Sequence, residues 1–221
     1  MSKAGRAGLT FVVTAALVAL VLVFVFGFLR NKPAAIAAAN EGPASASLTL
    51  QTVAAIGPKY GNKPDWVSYL VLQNGQWVHS TIYTVPAHAT VHVTIYQYDS
   101  ASGLRNPLWA LAQGVVGGTI NVDGKTVSAV DPASPGHTFG IPDLGVYVPL
   151  PGVGDNAANQ CGAAPCTTSM AHHTITFAFR TGAPGVYRWQ CFVPCGAGYY
   201  FGNGGPMQTF GYMGGFLRVV Q

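Results

Sequence analysis

The stretch 185–220 of this sequence gathers four sulfur-bearing side chains. Cys191 and Cys195 lie four residues apart, just after a strand-like run, and Met207 and Met213 follow before a closing apolar run at 216–220. Thiolates and thioethers are soft donors, and this donor set suits copper. Such a site also needs a harder ligand from elsewhere in the chain.

His137 is the histidine best placed to supply that ligand. It opens the segment HTFGIPDLGV, just before a predicted strand, and Pro142 stiffens the approach. A neutral imidazole there can ligate a soft metal while a hydrogen bond to its other nitrogen holds the ring. The remaining histidines are predicted to be surface or core residues, and His172 and His173 begin a strand, so that at most one faces any given site.

The four cysteines fall into two pairs, and each pair has more than one interpretation. Cys161 and Cys166, in CGAAPC, are predicted to form a local disulfide, because the domain is expected in an oxidising compartment. Cys191 and Cys195 either bind metal or form a disulfide that closes a tight turn. Zinc is a weaker candidate, since no CxxC pair or His-x-His spacing completes a four-ligand set. Cross-pairing between the two pairs also remains open.

The charged residues argue against two classes of function. Lys3, Arg6, Arg30 and Lys32 flank the first apolar run, and without them the chain has seven basic and seven acidic residues. No basic cluster is interleaved with aromatic residues, so a nucleic-acid surface is not predicted. The seven acids are scattered and no GxSxG motif occurs, so hydrolytic or acid–base catalysis is poorly supported.

The N-terminus predicts a membrane anchor. Residues 8–29 form a segment without any charged side chain. This segment is long enough to span a bilayer as a helix, and it is longer than the apolar core of a signal peptide. An uncleaved anchor is therefore favoured, although AAIAAAN at 34–40 offers small residues that a peptidase could accept. The predicted divisions are an anchor at 1–32, a linker at 33–46 and an extracytoplasmic domain at 47–221.

The rest of the chain predicts an all-β fold. Alternation of apolar and polar residues is clearest at 90–99, where Val91, Val93 and Ile95 share one face. Eight or nine short strands with Gly and Pro between them favour an antiparallel sandwich. The predicted strand segments are 47–53, 67–73, 76–85, 90–99, 118–124, 137–150, 172–180, 185–191 and 215–220.

These segments resemble a known family. Cytochrome c oxidase subunit II carries the first histidine of its dinuclear copper centre in a segment similar to HTFGIPDLGVYVPLPG, and its two cysteines in a loop similar to PGVYRWQCFVPCGAG. Cupredoxins generally have an earlier strand similar to VPAHATVHVTIYQYD and a closing strand similar to YMGGFLRVV. The resemblance covers residues 85–221, and the single anchor fits subunit II types with one helix. It implies a cupredoxin-like Greek-key sandwich.

The resemblance also implies a set of copper ligands. His137 would be one ligand, Cys191 and Cys195 would bridge two coppers, and the backbone carbonyl of Val193 would bind one of them. Met207 would be the methionine ligand, or Met213 if the site follows the pattern of mononuclear cupredoxins. One or two copper ions are expected, or none if the site is degenerate.

One ligand of the family is missing from this sequence. The second histidine should lie four residues after the second cysteine, where this chain has Tyr199, and no histidine occurs after His173. The family's methionine position is Gly202. That coordination position would stay open, or would be filled by water, by Asn203, or by His172 or His173 from another strand.

The resemblance implies copper binding and electron transfer in the respiratory chain, in the cytoplasmic membrane of a prokaryote. The partners would be subunits of a respiratory complex or a redox protein. Two alternatives are a copper-free accessory subunit with a degenerate site and a copper-delivery protein. Aromatic residues near the cysteines are expected to shield the site: Trp189, Phe192, Tyr199, Tyr200 and Phe201.

Overall fold

The computed structural model describes residues 2–29, 34–196 and 204–221, with the side chains of 28 and 29 left out. The chain divides into two compact units, with the division after residue 33.

The first unit is a single apolar helix. Helix α1 spans Lys3–Val23 and continues as a π-helical turn at Phe24–Leu29. Ser2 caps it, because its side chain accepts a hydrogen bond from the backbone N–H of Gly5 over 3.2 Å. Among the described residues this is one helix long and apolar enough to cross a membrane, a test that a signal sequence near the N-terminus also passes.

The second unit is a two-sheet β-sandwich. The first sheet has six strands in the spatial order β1-β6-β14-β13-β10-β11. Their bounds are β1 Ile36–Ala37, β6 Ile82–Pro86, β10 Pro135–Ile141, β11 Val146–Pro151, β13 Gly185–Gln190 and β14 Gly214–Val220.

The second sheet has eight strands in the order β5-β4-β3-β7-β12-β8-β9, with β2 paired to β3. Their bounds are β2 Ala39–Gly42, β3 Ser45–Val53, β4 Ser68–Gln73, β5 Gln76–Val78, β7 Thr90–Gln97, β8 Ile120–Val122, β9 Lys125–Val127 and β12 His173–Arg180. Short 3-10 turns connect some strands, at Pro58–Tyr60, Pro107–Ala110, Val116–Gly118 and Pro142–Leu144.

Two clusters of buried side chains fill this unit. The main cluster lies between the sheets, with Trp189 stacked between Tyr83 and Phe139 at ring-centroid distances of 5.4 and 5.2 Å. A smaller cluster around Leu70 and Tyr98 includes the disulfide-bonded cysteines. Both free cysteines belong to the main cluster, so the candidate site is part of the core.

The all-β sandwich predicted from the sequence is confirmed, since the chain forms two sheets after one apolar helix. The alternation along β7 is also confirmed, since Val91, Val93 and Ile95 are buried on one face.

Several details of the strands differ from the predictions. The single segment predicted at 76–85 forms β5 and β6, which belong to different sheets. The segment 33–46, predicted as a linker, contains β1 and β2, because small side chains do not prevent backbone pairing. Fourteen strands occur among the described residues, since strands of two or three residues leave no periodicity in the sequence.

The sheets also contain parallel pairs, whereas the sequence predicts antiparallel ones. Strand β3 runs parallel to β7, and β6 runs parallel to both β1 and β14. Parallel neighbours need long connections, and strands such as β6 and β14 are joined by most of the domain. Short hairpin signals in the sequence cannot reveal such pairs.

Candidate metal centre

Three strands of the first sheet bring the candidate ligands to one end of the sandwich. Cys191 follows the last residue of β13, and Gln190 pairs with Gly140 of β10 and with Gly214, the first residue of β14. Gly140 is near the end of β10, and β10 runs antiparallel to β13, so the start of β10 lies beside the loop that begins at Cys191. His137, Cys191 and the loop before β14 meet there although they are far apart in sequence.

A β-bulge sets the position of His137. The register of β10 against β11 shifts between Pro135 and His137, so that Gly136 has no partner in the ladder. Bulges commonly redirect a side chain next to a functional site. His137 lies within β10, whereas the sequence places it just before a strand, and it is 1% exposed.

His137, Cys191 and Cys195 form a buried group that could hold a metal ion. Their ligand atoms all lie within 4.8 Å of one another. His137 Nδ1 is 3.8 Å from Cys191 Sγ, which is 3.4 Å from Cys195 Sγ. One nitrogen and two sulfur atoms thus lie close together at one end of the sandwich.

Two further predicted ligands lie against this group. The carbonyl oxygen of Val193 is 3.5 Å from Cys191 Sγ, and Met207 Sδ is 3.2 Å from Cys195 Sγ. Met213 is buried in the main cluster, and its carbonyl accepts a hydrogen bond from Cys191 N over 2.8 Å. The sulfur contact favours Met207 over Met213 as the methionine ligand.

The two cysteine pairs differ in bonding. Cys161 and Cys166 form the local disulfide predicted from the sequence. Cys191 and Cys195 are free thiols, so cross-pairing and a disulfide between these two are both absent from the structure. A disulfide is typical of oxidising compartments, which suggests an extracytoplasmic domain.

Hydrogen bonding shifts the pKa values of the two thiols in opposite directions. Burial alone would raise the pKa of Cys191, but hydrogen bonds from Cys195 and His137 outweigh it and lower that pKa well below its usual range. The pKa of Cys195 is raised, because its thiol donates to Cys191 and is itself buried. Burial lowers the pKa of His137, but Asp99 and Cys191 raise it to about 9 overall. Cys191 is therefore the more acidic thiol of the pair.

Thr138 holds the Cys191 loop and was not found by sequence reasoning. Its N–H lies 3.4 Å and its Oγ1 3.9 Å from Cys191 Sγ, and Oγ1 accepts a hydrogen bond from Phe192 N over 2.8 Å. Tyr69 donates to the Thr138 carbonyl over 2.9 Å from the core side. Thr138 is adjacent to His137, but the sequence gives no signal that its hydroxyl faces a cysteine 53 residues away.

Asp99 is a second residue that sequence reasoning missed. Its Oδ2 accepts a hydrogen bond from His137 Nε2 over 2.9 Å. The sequence shows Asp99 as one of several scattered acids, since it is 38 residues from His137. Burial raises the pKa of Asp99, but the hydrogen bond from His137 outweighs it, so that the pKa is lowered.

Other candidates from the sequence do not join the group. Among the described residues the His/Cys cluster contains neither His172 nor His173. His173 Nδ1 pairs with Asp123 Oδ2 over 2.6 Å, and His172 Nδ1 lies 2.7 Å from the Met170 carbonyl. Five residues named in the sequence analysis lie outside the described residues. They are the family's histidine and methionine positions, the candidate replacement ligand and three members of the predicted aromatic shield: Tyr199, Tyr200, Phe201, Gly202 and Asn203.

Two members of the predicted aromatic shield are described. Trp189 is fully buried and donates to the Thr81 carbonyl over 3.0 Å. Phe192 packs on Tyr147 with ring centroids 4.7 Å apart. Gly140 makes room for Phe192, because a Cβ there would come within 2.6 Å of its ring.

A cavity of about 480 Å³ adjoins the cluster. Its lining includes His137, Cys195, Asp65, Trp66, Asp99 and Pro206. The cavity gives a small ion access to the edge of an otherwise buried group, and its two carboxylates favour a cation.

Among the comparisons with known proteins, the search of solved structures is the one that found matches to this chain. No family model and no curated protein sequence matches the chain. Rusticyanin from Thiobacillus ferrooxidans is 15% identical, with 84% of this chain and 82% of that chain covered and a TM-score of 0.33. A chain of a heme-copper terminal oxidase dimer is 14% identical, with 99% and 100% covered and a TM-score of 0.30. At these values the assignment of function rests on the site itself.

The donor set fits copper. A site of two thiols, one imidazole and one thioether is soft, and a thioether is typical of copper sites and foreign to zinc sites. The residues that would hold the ion are His137, Cys191, Cys195 and Met207, with the carbonyl of Val193. The described chain thus contains a two-sheet β-sandwich with a buried group that could bind a metal such as copper.

Proposed function

We propose that this protein binds copper at His137, Cys191, Cys195, Val193 and Met207 and transfers electrons in a membrane respiratory chain. The contact of Met207 with a buried His/Cys/Cys group carries the proposal. Copper, when bound there, supplies a reversible one-electron couple.

The protein's own contribution is a rigid and dry environment. Cys191 and Val193 are fully buried, and Cys195 is 8% exposed, so water is largely excluded from the sulfur atoms. Thr138 and Phe192 tie the cysteine loop to β10, and Tyr69 ties β10 to the core. Ligands held in this way keep their positions when the charge at the site changes, which lowers the cost of reorganisation.

The membrane context rests on the N-terminal helix and on the resemblance to oxidase subunit II. We propose that α1 is an uncleaved anchor in the cytoplasmic membrane of a prokaryote, with residues 47–221 outside. The Cys161–Cys166 disulfide supports this side of the membrane. Partners would be subunits of a respiratory complex or a redox protein.

Redox cycling of the copper-loaded full chain in detergent micelles tests the electron-transfer role. We expect a thiolate-to-copper absorption band that disappears on reduction and returns on reoxidation over repeated cycles, with no loss of copper. A Cys191→Ser Cys195→Ser variant should show no band, whereas the matched control Cys161→Ser Cys166→Ser should keep it. A protein that binds no copper would instead be an accessory subunit with a degenerate site.

Copper delivery is a second candidate, and the cavity favours it. The cavity reaches the edge of the site at His137 and Cys195, so a small chelator can approach that edge. A delivery protein should release copper to a competing chelator within minutes after reduction. Retention of copper in the same assay supports the electron carrier.

A further inference from the structure

Asp99 contacts the candidate ligand His137 from the side opposite the cysteines. His137 Nε2 donates to Asp99 Oδ2 over 2.9 Å, and Nδ1 lies 3.8 Å from Cys191 Sγ. The two ring nitrogens therefore have different partners, one a carboxylate and the other a sulfur atom. The His137 side chain is 1% exposed and that of Asp99 23%.

Backbone contacts fix the orientation of this carboxylate. Ser100 N donates to Asp99 Oδ1 over 2.8 Å, which leaves Oδ2 directed at the imidazole. Val153 N donates to the Asp99 carbonyl over 2.9 Å. Ser102 Oγ donates to the Pro135 carbonyl over 2.9 Å, which ties the segment after Asp99 to the start of β10.

Gly136 allows this segment to approach His137. A Cβ at Gly136 would overlap the carbonyl group of Ser100 and would come within 2.9 Å of Gln97 Nε2. The bulge that positions His137 and the turn that carries Asp99 are therefore in direct contact. The Asp99–His137 pair is therefore held by the bulge in β10 on one side and by the Asp99 turn on the other.

We propose that Asp99 is the positioning residue of the metal centre: its carboxylate keeps a proton on His137 Nε2 and so leaves Nδ1 to ligate the metal beside Cys191. A carboxylate can only accept a hydrogen bond here, so Nε2 must be the donor. A histidine that binds metal commonly donates its other N–H to such a partner, which fixes the ring and raises ligand basicity. The inference rests on the proposed copper function and adds a residue to it.

The described residues contain a second His–carboxylate pair that serves as a control. His173 Nδ1 pairs with Asp123 Oδ2 over 2.6 Å, with side chains 34% and 45% exposed. This pair lies outside the His/Cys/Cys group. Asp123→Asn therefore removes the same kind of carboxylate without touching the metal centre.

Nitrogen-15 NMR of the full chain in detergent micelles, with ring-labelled histidine and no metal, tests the contact itself. We expect a slowly exchanging proton on His137 Nε2 in the wild type and in Asp123→Asn. Asp99→Ala should lose this proton signal, because the acceptor is gone and water can reach the ring. An unchanged Nε2 proton in Asp99→Ala would overturn the proposal.

Copper affinity, measured by competition with a chelator, tests the positioning role. Asp99→Asn keeps the shape of the side chain but offers an amide that can donate to Nε2 and so place the ring proton on Nδ1. We expect Asp99→Asn and Asp99→Ala to bind copper roughly 10–100-fold more weakly, with Asp123→Asn unchanged. Equal affinity in wild type and Asp99 variants would overturn the positioning role alone. A wild type that binds no copper would overturn the proposed function, and the NMR result would still decide whether Asp99 holds the ring.

Discussion

Cys191 is the residue on which the contacts of the site converge. Its sulfur lies near His137 Nδ1, Cys195 Sγ, the Val193 carbonyl and the Thr138 N–H. Hydrogen bonds from Cys195, His137 and the Thr138 N–H lower the pKa of Cys191, whereas the pKa of Cys195 is raised. A deprotonated sulfur is the form that binds metal, so the contacts that lower the pKa of Cys191 also favour metal binding.

The two methionines provide a test at the scale of the residue. Met207→Leu should lower copper affinity by roughly tenfold and shift the thiolate-to-copper band, because its sulfur contacts Cys195. Met213→Leu is the matched control, since its side chain is in the core and a Met-to-Leu exchange costs less than about 1.5 kcal/mol there. Absorption and copper competition measure both. The reverse result, with Met213 controlling the band, would contradict the assignment.

The Asp123–His173 pair predicts a pH-dependent stability away from the metal centre. Burial raises the pKa of Asp123, but hydrogen bonds from His173 and Thr174 N outweigh it, so the folded pKa is lower than the usual 3.8. Such a carboxylate stabilises the fold above its unfolded pKa, and the stabilisation is lost as the pH falls through the lower folded pKa. Because the pair is exposed, the effect should stay under about 1 kcal/mol.

Asp123→Asn measures this effect. Asp123 has a φ of 49° in the β8–β9 turn, a conformation that Asn also tolerates, so the turn should persist. We expect the variant to be less stable than the wild type near pH 6 in urea unfolding, and equally stable at about pH 2. A difference of the same size at both pH values would show that the substitution acts through the turn and not through the charge.

At the scale of the element, the bulge in β10 joins the strand to the loop that carries Asp99. All seven residues of β10 are buried, because the other sheet covers one face and the cysteine loop and the Asp99 segment cover the other. A strand covered on both faces tolerates little change in volume. The bulge is therefore the element whose disturbance should affect stability and the site together.

Gly136→Ala tests this coupling. The added Cβ would overlap the Ser100 carbonyl, so we expect a loss of about 1–3 kcal/mol in the free energy of unfolding and weaker copper binding. Gly154→Ala is the matched control, since no atom lies within 4 Å of its Cβ position and its φ is not positive. That variant should change stability by less than about 1 kcal/mol. Normal copper affinity in Gly136→Ala would contradict the coupling.

At the scale of the whole molecule, the sequence predicted the apolar helix, the β-sandwich and the local disulfide. Each of these leaves a local signal: a long uncharged run, alternation along strands such as β7, and two cysteines in a short loop. The sequence could not predict that β6 and β14 are parallel neighbours, or that Asp99 reaches His137. Those contacts depend on how the chain passes between the two sheets, and the spacing of residues in the sequence does not indicate this path.

For the candidate site, the sequence singled out three of the grouped side chains but not the residues that hold them in place. The Cys191–Cys195 pair could be found because soft donors clustered around one loop are unusual, and His137 could be found because it opens a segment next to a predicted strand; the family resemblance implied the same residues. Thr138 and Asp99 could not be found, since a threonine and an aspartate are common residues and become informative when their contacts are known. The predicted role of Tyr199 lies outside the described residues.

The central claim is that Cys191 and Cys195 hold copper and are not a disulfide. The most direct measurement is the copper and free-thiol content of the full chain in detergent micelles, after anaerobic reduction, copper loading and dialysis. We predict one or two retained coppers per chain, retained equally in Cys161→Ser Cys166→Ser and lost in Cys191→Ser Cys195→Ser. A chain that retains no copper, and in which Cys191 and Cys195 are joined to each other as isolated, would contradict the account.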